Sequence, residues 1–572
     1  MQKLKKRSKK YLLVIACFFI SVDTLFAQTK FDPYHYAANK NVTCKNGVVV
    51  SAHALASEVG VNILKQGGNA VDAAIATQFA LAVVYPGAGN IGGGGFMVIH
   101  LKNGKNITVD YRETAPAAAT RDMYLDAKGN PEMNLSQNGH LSAGVPGSVA
   151  GMTAALKYAK LPLKKLIQPA IDLAENGFAI TGAEARSLNG TRDEFIKLNT
   201  VTPVFVKEVP WKSGDTLIQH DLAKTLRLIR DRGAKGFYEG ETARLVAEEM
   251  KRGHGIMTEE DLKNYAAKIR EPLTFNYEGY TIVSMPLPSS GGIIIEQCLK
   301  MSHFEHLSGM KFETPESVQL MVEAERRSFA DRAQFLGDPD FVKVPVKTLV
   351  SDAYLKQRLS DYVPGKAGNS KDVSAGQVNE REETTHFDVL DKEGNAVSVT
   401  TTLNGGYGSR TVVAGAGFLL NNEMDDFSVK PGVPNMYGAV GAEANSIMPG
   451  KRMLSSMTPV IVLKNGKPFV VVGTPGGTTI PTSVYQSLVD VIDFKMPPDD
   501  VVNKPKFHHQ WLPDVIFVEK GFDGHVKDRL EKMGYKVIVR EAIGRTELVE
   551  LSKNGTITAV ADHRGDDSAA GY

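Results

Sequence analysis

Thr384 and Thr385 are the residues with the clearest chemical promise. They follow a polar, glycine-bearing stretch poor in aromatics, 364–383 (PGKAGNSKDVSAGQVNEREE), and open a run that reads as a core strand. A mobile linker that runs straight into a core strand fits a precursor cut between Glu383 and Thr384. The new terminal threonine would carry a hydroxyl nucleophile and an α-amine able to serve as its base. Taken alone, Thr-Thr in a strand is also what β-propensity produces. Gly92–Gly95 could cradle a phosphate, but no lysine–serine or lysine–threonine ending follows them. They also come after a helical run, so close backbone packing accounts for them better. His508 and His509 are adjacent, and on a strand they point to opposite faces, so they do not share a metal and read as structural. CxxC and HExxH pairings are absent, and the sequence calls for no metal and no cofactor.

The elements that must position these groups can be read from periodicity. Thr384–Leu390 and Ala396–Leu403 read as strands joined by a turn at Asp391-Lys392-Glu393-Gly394-Asn395. Pairing Val389 with Val397 sets Phe387 opposite Val399 on one face and Thr384 opposite Thr402 on the other. A slip of one residue breaks the apolar match. Further strands are expected at Pro459–Leu463 and Phe469–Gly473. Residues 50–84 read as helical and rich in small residues, ending at Pro86-Gly87, and 149–350 read mostly as helices. Amphipathic helices are expected at Thr242–Lys251 and Pro315–Phe335, the charges Glu323, Glu325, Arg326 and Arg327 of the latter forming a solvated face.

Composition bounds the class. The 572 residues are 42% hydrophobic and 23% charged, ordinary for a globular protein with ample core. A net charge of +2 calls for no nucleic-acid partner. Met1–Lys10 carries six basic residues, Tyr11–Ile20 is apolar or small, and Ala27 offers a cleavage point, the layout of a secretory signal over 1–27. The apolar run is short for a membrane span, so an uncleaved anchor is the weaker alternative. Lipidation at Cys17 is disfavoured because Phe18-Phe19-Ile20 continue the apolar run. Taking six bases and the acid Asp23 away from +2 leaves −3, so the basic character belongs to the leader. Export, to a periplasm or medium, follows as the expectation, with no stable membrane insertion once the signal is gone. Cys44 and Cys298 then remain, too few for a disulfide framework.

Several long motifs, in order, resemble the γ-glutamyltransferase family: VDYRETAP (109–116), PLPSSGG (286–292), TTHFDVLDKEGNAVSVTTTLN (384–404), LLNNEMDDFS (419–428), PGVPNMYG (431–438), RMLSSMTP (452–459), GTPGG (473–477) and FHHQWLP (507–513). The likeness covers about residues 45–572. It implies an α+β N-terminal-nucleophile hydrolase fold, a four-layer αββα sandwich with two β-sheets between helical layers. A large subunit, 28–383, and a small one, 384–572, would build it jointly as a heterodimer after self-cleavage. The implied substrates are glutathione and other γ-glutamyl compounds, with water or an amino acid or peptide as acceptor.

The resemblance also assigns roles. Thr384 matches the nucleophile and Thr402 its hydroxyl partner, which the strand register places beside it independently. Gly476 and Gly477 match an oxyanion hole, where glycine lets two N–H donors approach; without the resemblance Pro475-Gly476-Gly477 reads as a plain turn. Arg112 matches the arginine on the substrate α-carboxylate, a forked cation suited to it, with Ser455 and Ser456 as hydroxyl donors. Asn404, Glu423 and Asp426 match the receivers of the α-ammonium. Bacterial relatives often carry glutamine at the Glu423 position, and glutamate still accepts hydrogen bonds. Tyr437 matches a loop that covers the pocket and implies small substrates. A surface arginine at 112 and a helix cap at 425–426 are the plainer readings. Two rival functions stay open: an acylase of the same fold, and an exported binding protein for γ-glutamyl peptides that lost its chemistry. An acyl chain without an amino-acid head would not need both charges of the head-group set, and intact Thr384, Thr402 and Gly476-Gly477 speak against the binding protein.

Overall fold

The structure, a computed structural model, describes residues 31–370 and 384–572. The expected signal at 1–27, residues 371–383 of the expected linker and Glu383 lie outside the described residues. Numbered along the chain, the principal strands are β1 (Asn41–Cys44), β2 (Gly47–Ser51), β3 (Gly94–His100), β4 (Asn106–Asp110), β5 (Lys268–Arg270), β6 (Leu273–Tyr277), β7 (Tyr280–Ser284), β8 (Thr385–Asp391), β9 (Ala396–Thr402), β10 (Val460–Lys464), β11 (Lys467–Gly473), β12 (Glu547–Leu551), β13 (Ile557–Val560) and β14 (Ser568–Gly571). The principal helices are α1 (Ala54–Lys65), α2 (Ala70–Val84), α3 (Gly291–Phe304), α4 (Pro315–Phe335) and α5 (Thr479–Ile492).

The β8–β9 hairpin sits at the centre of the fold, and its register is the expected one. Val389 pairs with Val397, Phe387 with Val399 and Thr385 with Thr401, which carries Thr384 to Thr402. Two opposite preferences specify that register. Phe387, Val389, Val397 and Val399 pack with the apolar residues of α1 and α2. At the alternate positions four polar side chains bond one another: His386 bonds Thr400 at 2.9 Å and Asp388 at 3.0 Å, and Ser398 donates to Asp388 at 2.7 Å. A one-residue slip would send four polar side chains into the helical layer, each costing about 1–3 kcal/mol if left unpaired.

Two seven-stranded antiparallel sheets result, ordered β14-β2-β8-β9-β3-β4-β5 and β1-β13-β12-β11-β10-β7-β6. The outer face of the first is covered by α1 and α2, all fifteen residues of α2 being buried. The second packs against α3, α4 and α5, while Val48, Val50, Phe96 and Val98 fill the layer between the sheets. This is the αββα sandwich. Both sheets mix strands from before and after position 384, so each half of the chain completes the other's sheets. The glycine run serves close approach, as expected: a Cβ on Gly93 would lie 2.0 Å from the Thr402 carbonyl oxygen and one on Gly95 2.5 Å from that of Thr400.

Other expectations need correction. The helical reading of 50–84 hides the end of β2, and Asn69, whose side chain caps α2, starts a second helix after Gly67-Gly68. The mostly helical reading of 149–350 misses the β6–β7 hairpin, whose turn residues Glu278 and Gly279 take positive φ of 46° and 78°. The α4 boundaries match, but its charges are not a solvated face. Glu323, Glu325, Arg326 and Arg327 are buried. They pair internally or with distant chain: Arg327 with Glu323 and Asp361, Arg326 with Asp514, and Glu325 accepts from the His509 amide at 2.9 Å. The first residues of the expected linker are also held down, Gly368 by Glu323 at 3.0 Å and Ser370 by Asp514 at 2.7 Å. Among the described residues no helix is long and apolar enough to cross a membrane. Cys44 and Cys298 are both free thiols.

Candidate active site

Thr384 is the residue before β8, and Thr402 ends β9 directly across from that position. Both are buried, at 5% and 2% exposure, and both line one cleft of about 320 Å³. Thr402 Oγ1 accepts the Asn404 amide at 2.6 Å, which leaves the Thr402 hydroxyl proton free to donate towards Thr384.

The remaining predicted residues arrive from three directions. Arg112 follows β4. Asn404 and the Glu423–Asp426 turn come from the long connection after β9, and Ser455 and Ser456 from the approach to β10. All line the same cleft, as do Tyr437 and Gly477. Gly476 is not among the lining residues; its carbonyl accepts from Thr479, 2.9 Å from the amide, at the start of α5. The Gly477 and Thr478 positions instead bring the head of α5 to the cleft, where the helix dipole favours negative charge.

Arg112 is not a surface arginine, with 1% exposure. Its fork grips Glu423 and Asp426, the latter at 2.5 Å, and it donates to the carbonyls of Met453 at 3.3 Å and Leu454 at 3.2 Å. Burial works against its charge, and the carboxylates of Glu423, Asp426 and Glu113 more than offset that, holding the guanidinium above its ordinary range. Burial pushes Glu423 well above the usual carboxylate range, against the pull of Arg112. Glu113 is wholly buried and burial raises it to about 8. The plainer helix-cap reading of 425–426 fails too. Asp425 instead accepts from Ser136 at 2.5 Å and from the Met436 amide at 2.8 Å, and so pins the segment carrying Tyr437. Tyr437 donates to the Asn404 carbonyl at 2.5 Å, and a Cβ on Gly477 would meet its ring at 2.7 Å, so the ring roofs the cleft.

Periodicity missed three polar lining residues, Arg332, Asn435 and Thr478. Asn435 donates to Asp426 at 2.8 Å and steadies it. Arg332 sits near the end of α4, the helix whose charges were read as solvent-facing; only the burial of that whole face identifies it.

His508 and His509 go to separate partners, His508 to Thr482 at 2.8 Å and His509 to Asp514 at 3.3 Å. Burial keeps both rings neutral, His508 down to about 3 and His509 to about 4. An unfolded histidine titrates near 6.5, so between about 6.5 and 4 the unfolded chain takes up protons that the folded one refuses. The stability they confer is therefore complete above pH 7 and is lost as pH falls from 6.5 towards 4. The destabilisation caused by His508→Gln should shrink over that acid interval; urea midpoints of both proteins at pH 7.5 and 5 check it, and an equal gap at both pH values would contradict it.

The profile of the gamma-glutamyltranspeptidase family matches residues 56–572. The chain is 47% identical over 537 residues to the glutathione hydrolase proenzyme of Escherichia coli (strain K12), covering 93% of each. Its fold is similar to that of the cephalosporin acylase from Bacillus halodurans, with TM-score 0.82 and 27% identity over 95% of this chain and 99% of that one. A chain of the Helicobacter pylori γ-glutamyltranspeptidase matches 58% of this chain and 96% of its own length, at 46% identity and TM-score 0.56.

Proposed function

The chain belongs to the γ-glutamyltranspeptidase family and is an enzyme of it, and on that premise we propose that Thr384 attacks the γ-carbonyl of glutathione or a related γ-glutamyl amide. The amine leaves with a proton, and the γ-glutamyl group stays as an ester on Thr384 until water or the amine of an amino acid or peptide takes it. The observation that carries this reading is the convergence, in one cleft, of the Thr384 and Thr402 hydroxyls with Arg112, Ser455 and Ser456 and with Asn404, Glu423 and Asp426. Thr402 orients the nucleophile. The Gly476-Gly477 amides at the head of α5 receive the developing oxyanion; removing one such donor costs about 10²–10³ in rate. Ser455 and Ser456, with the positive charge of Arg112, take the α-carboxylate. Asn404, Glu423 and Asp426 take the α-ammonium. Tyr437 excludes water and bulky chains.

The same hydroxyl is proposed to mature the chain by cutting Glu383–Thr384. Support comes from the sheets: with strands of both halves interleaved, the fragments 28–383 and 384–572 would stay together as one body. Residues 1–27 are proposed to direct export.

Turnover of γ-glutamyl anilide against glutaryl anilide, which lacks the α-amine, and 4-aminobutyryl anilide, which lacks the α-carboxylate, tests the head-group assignment. A strong preference for γ-glutamyl is expected. Equal or better use of glutaryl would mean an acylase, and no turnover of any would mean a binding protein. Thr402→Val keeps shape and β-propensity while losing the hydroxyl. It should slow maturation or turnover about 5- to 150-fold with little change in melting; wild-type rates for both steps would remove Thr402 from the mechanism.

A further inference from the structure

The charges that line the cleft do not balance locally. Arg112 spends its donors on Glu423, Asp426 and the Met453 and Leu454 carbonyls, with Glu113 3.7 Å away. Three carboxyl groups thus surround one guanidinium. The other lining cation, Arg332, is 7% exposed and has no carboxylate within ion-pair distance among the described residues. Burying a guanidinium without a counter-ion costs several kcal/mol, so its retention calls for a reason.

Its contacts supply one. Arg332 Nε donates to Ser290 Oγ at 3.1 Å and Nη2 donates to Ser456 Oγ at 3.2 Å. Ser290 Oγ, having accepted from Arg332, donates to the Ser455 carbonyl at 2.7 Å, and the Ser290 amide donates to the same oxygen at 2.7 Å. Ser455 Oγ in turn accepts the Met457 amide at 3.1 Å. A guanidinium and an amide can only donate, so each of the two cleft hydroxyls has an acceptor position filled and its own proton left over. Both protons are then available to an acceptor in the cleft. A cation held against one of these oxygens also strengthens its O–H as a donor.

We infer that Arg332 is a positioning residue for the γ-glutamyl α-carboxylate: it orients the Ser456 hydroxyl, holds the Ser455 backbone through Ser290, and adds its own positive charge to that of Arg112. The inference rests on the assignment of Ser455 and Ser456 to the α-carboxylate. Arg112 holds the two acids of the ammonium side as well as lending its charge to the carboxylate, and Arg332 reaches the two serines of the carboxylate side, Ser456 directly and Ser455 through Ser290.

The test is kinetic, on matured enzyme counted by active-site titration. Arg332→Gln should lower kcat/KM for γ-glutamyl anilide about 10- to 100-fold, mainly through KM, because the interaction is made with bound substrate as well as in the transition state. The value for 4-aminobutyryl anilide should move no more than about 2-fold. Arg332→Lys keeps the charge, but one ammonium cannot serve Ser290 and Ser456 in the fork geometry, so its loss should be intermediate and confined to the γ-glutamyl substrate. If Arg332→Gln does not mature, the lysine variant carries the comparison. Combining Arg332→Gln or Arg332→Lys with Ser456→Ala gives a second readout on γ-glutamyl anilide alone: the double variant should lose little beyond the worse single one, since both act through one hydroxyl. Equal losses on both anilides, or losses that multiply fully in the double variant, would overturn the inference and reduce Arg332 to a support of the fold. A wild type that does not prefer γ-glutamyl over 4-aminobutyryl anilide would instead overturn the head-group assignment itself.

Discussion

Thr384→Ala is expected to stay in one piece and to lose γ-glutamyl turnover by roughly 10³-fold or more, the scale on which removing a covalent nucleophile acts. In the unaltered chain the Thr384 Oγ would add to the Glu383 carbonyl carbon, and the Glu383–Thr384 C–N bond would break with a proton passing to the amine. The resulting ester would then be opened by water, giving a Glu383 carboxylate and restoring the hydroxyl. Alanine has no oxygen for the first step. The position suits the chemistry, since Thr384 immediately precedes β8 and its side chain is buried against the cleft. Thr384→Ser keeps the oxygen and should still cut and turn over, though more slowly. Gel mobility and N-terminal sequencing of the small fragment provide the check. A self-cleaving alanine variant, or a fragment that starts anywhere but residue 384, would refute the mechanism.

Arg112→Ala should lower kcat/KM for γ-glutamyl substrates by roughly 30- to several-thousand-fold, the equivalent of the about 2–5 kcal/mol lost when a buried charge is left unpaired. The structure adds a reason to the loss of a positive charge. Arg112 is the counter-ion of Glu423 and Asp426, so its removal leaves two carboxyl groups without the cation that pairs with them. Glu423, already pushed up by burial, would lose the pull of Arg112 and be pushed further towards its protonated form, weakening it in the proposed role of receiver of the ammonium. Arg112→Lys should recover only part, since lysine keeps the charge but cannot bridge both acids as a planar fork does. Self-cleavage should survive both changes, because the precursor's own carbonyl brings no head group to bind. The informative measurement is the ratio of γ-glutamyl to glutaryl anilide turnover. Arg112→Ala should shrink that ratio; an unchanged ratio at full rate would show that the head group is bound elsewhere.

Much of this was legible without coordinates because the signals were local or one-dimensional. Period-two alternation set the β8–β9 register, since a slip exchanges an apolar face for a polar one. Helix α4 has the bounds that its amphipathic period set. The ordered motifs brought the family and most of the lining residues with them.

What stayed hidden depended on burial across long sequence separations. A charged residue on an amphipathic helix normally faces water, and nothing local distinguishes Glu323 or Arg332 from that case. Their environment is made by chain distant in the sequence: Asp361 and Asp514 for the charges of α4, and Ser290 and Ser456 for Arg332. The pairing of Arg112 with Glu423 and Asp426 spans more than 300 positions and likewise exists only in three dimensions. Sequence by itself thus determined which chemical groups the protein carries and the strand register that brings Thr384 opposite Thr402. Only the tertiary structure decided which charge neutralises which, because Coulomb energy and desolvation depend on distance and burial, and neither has a period in the sequence.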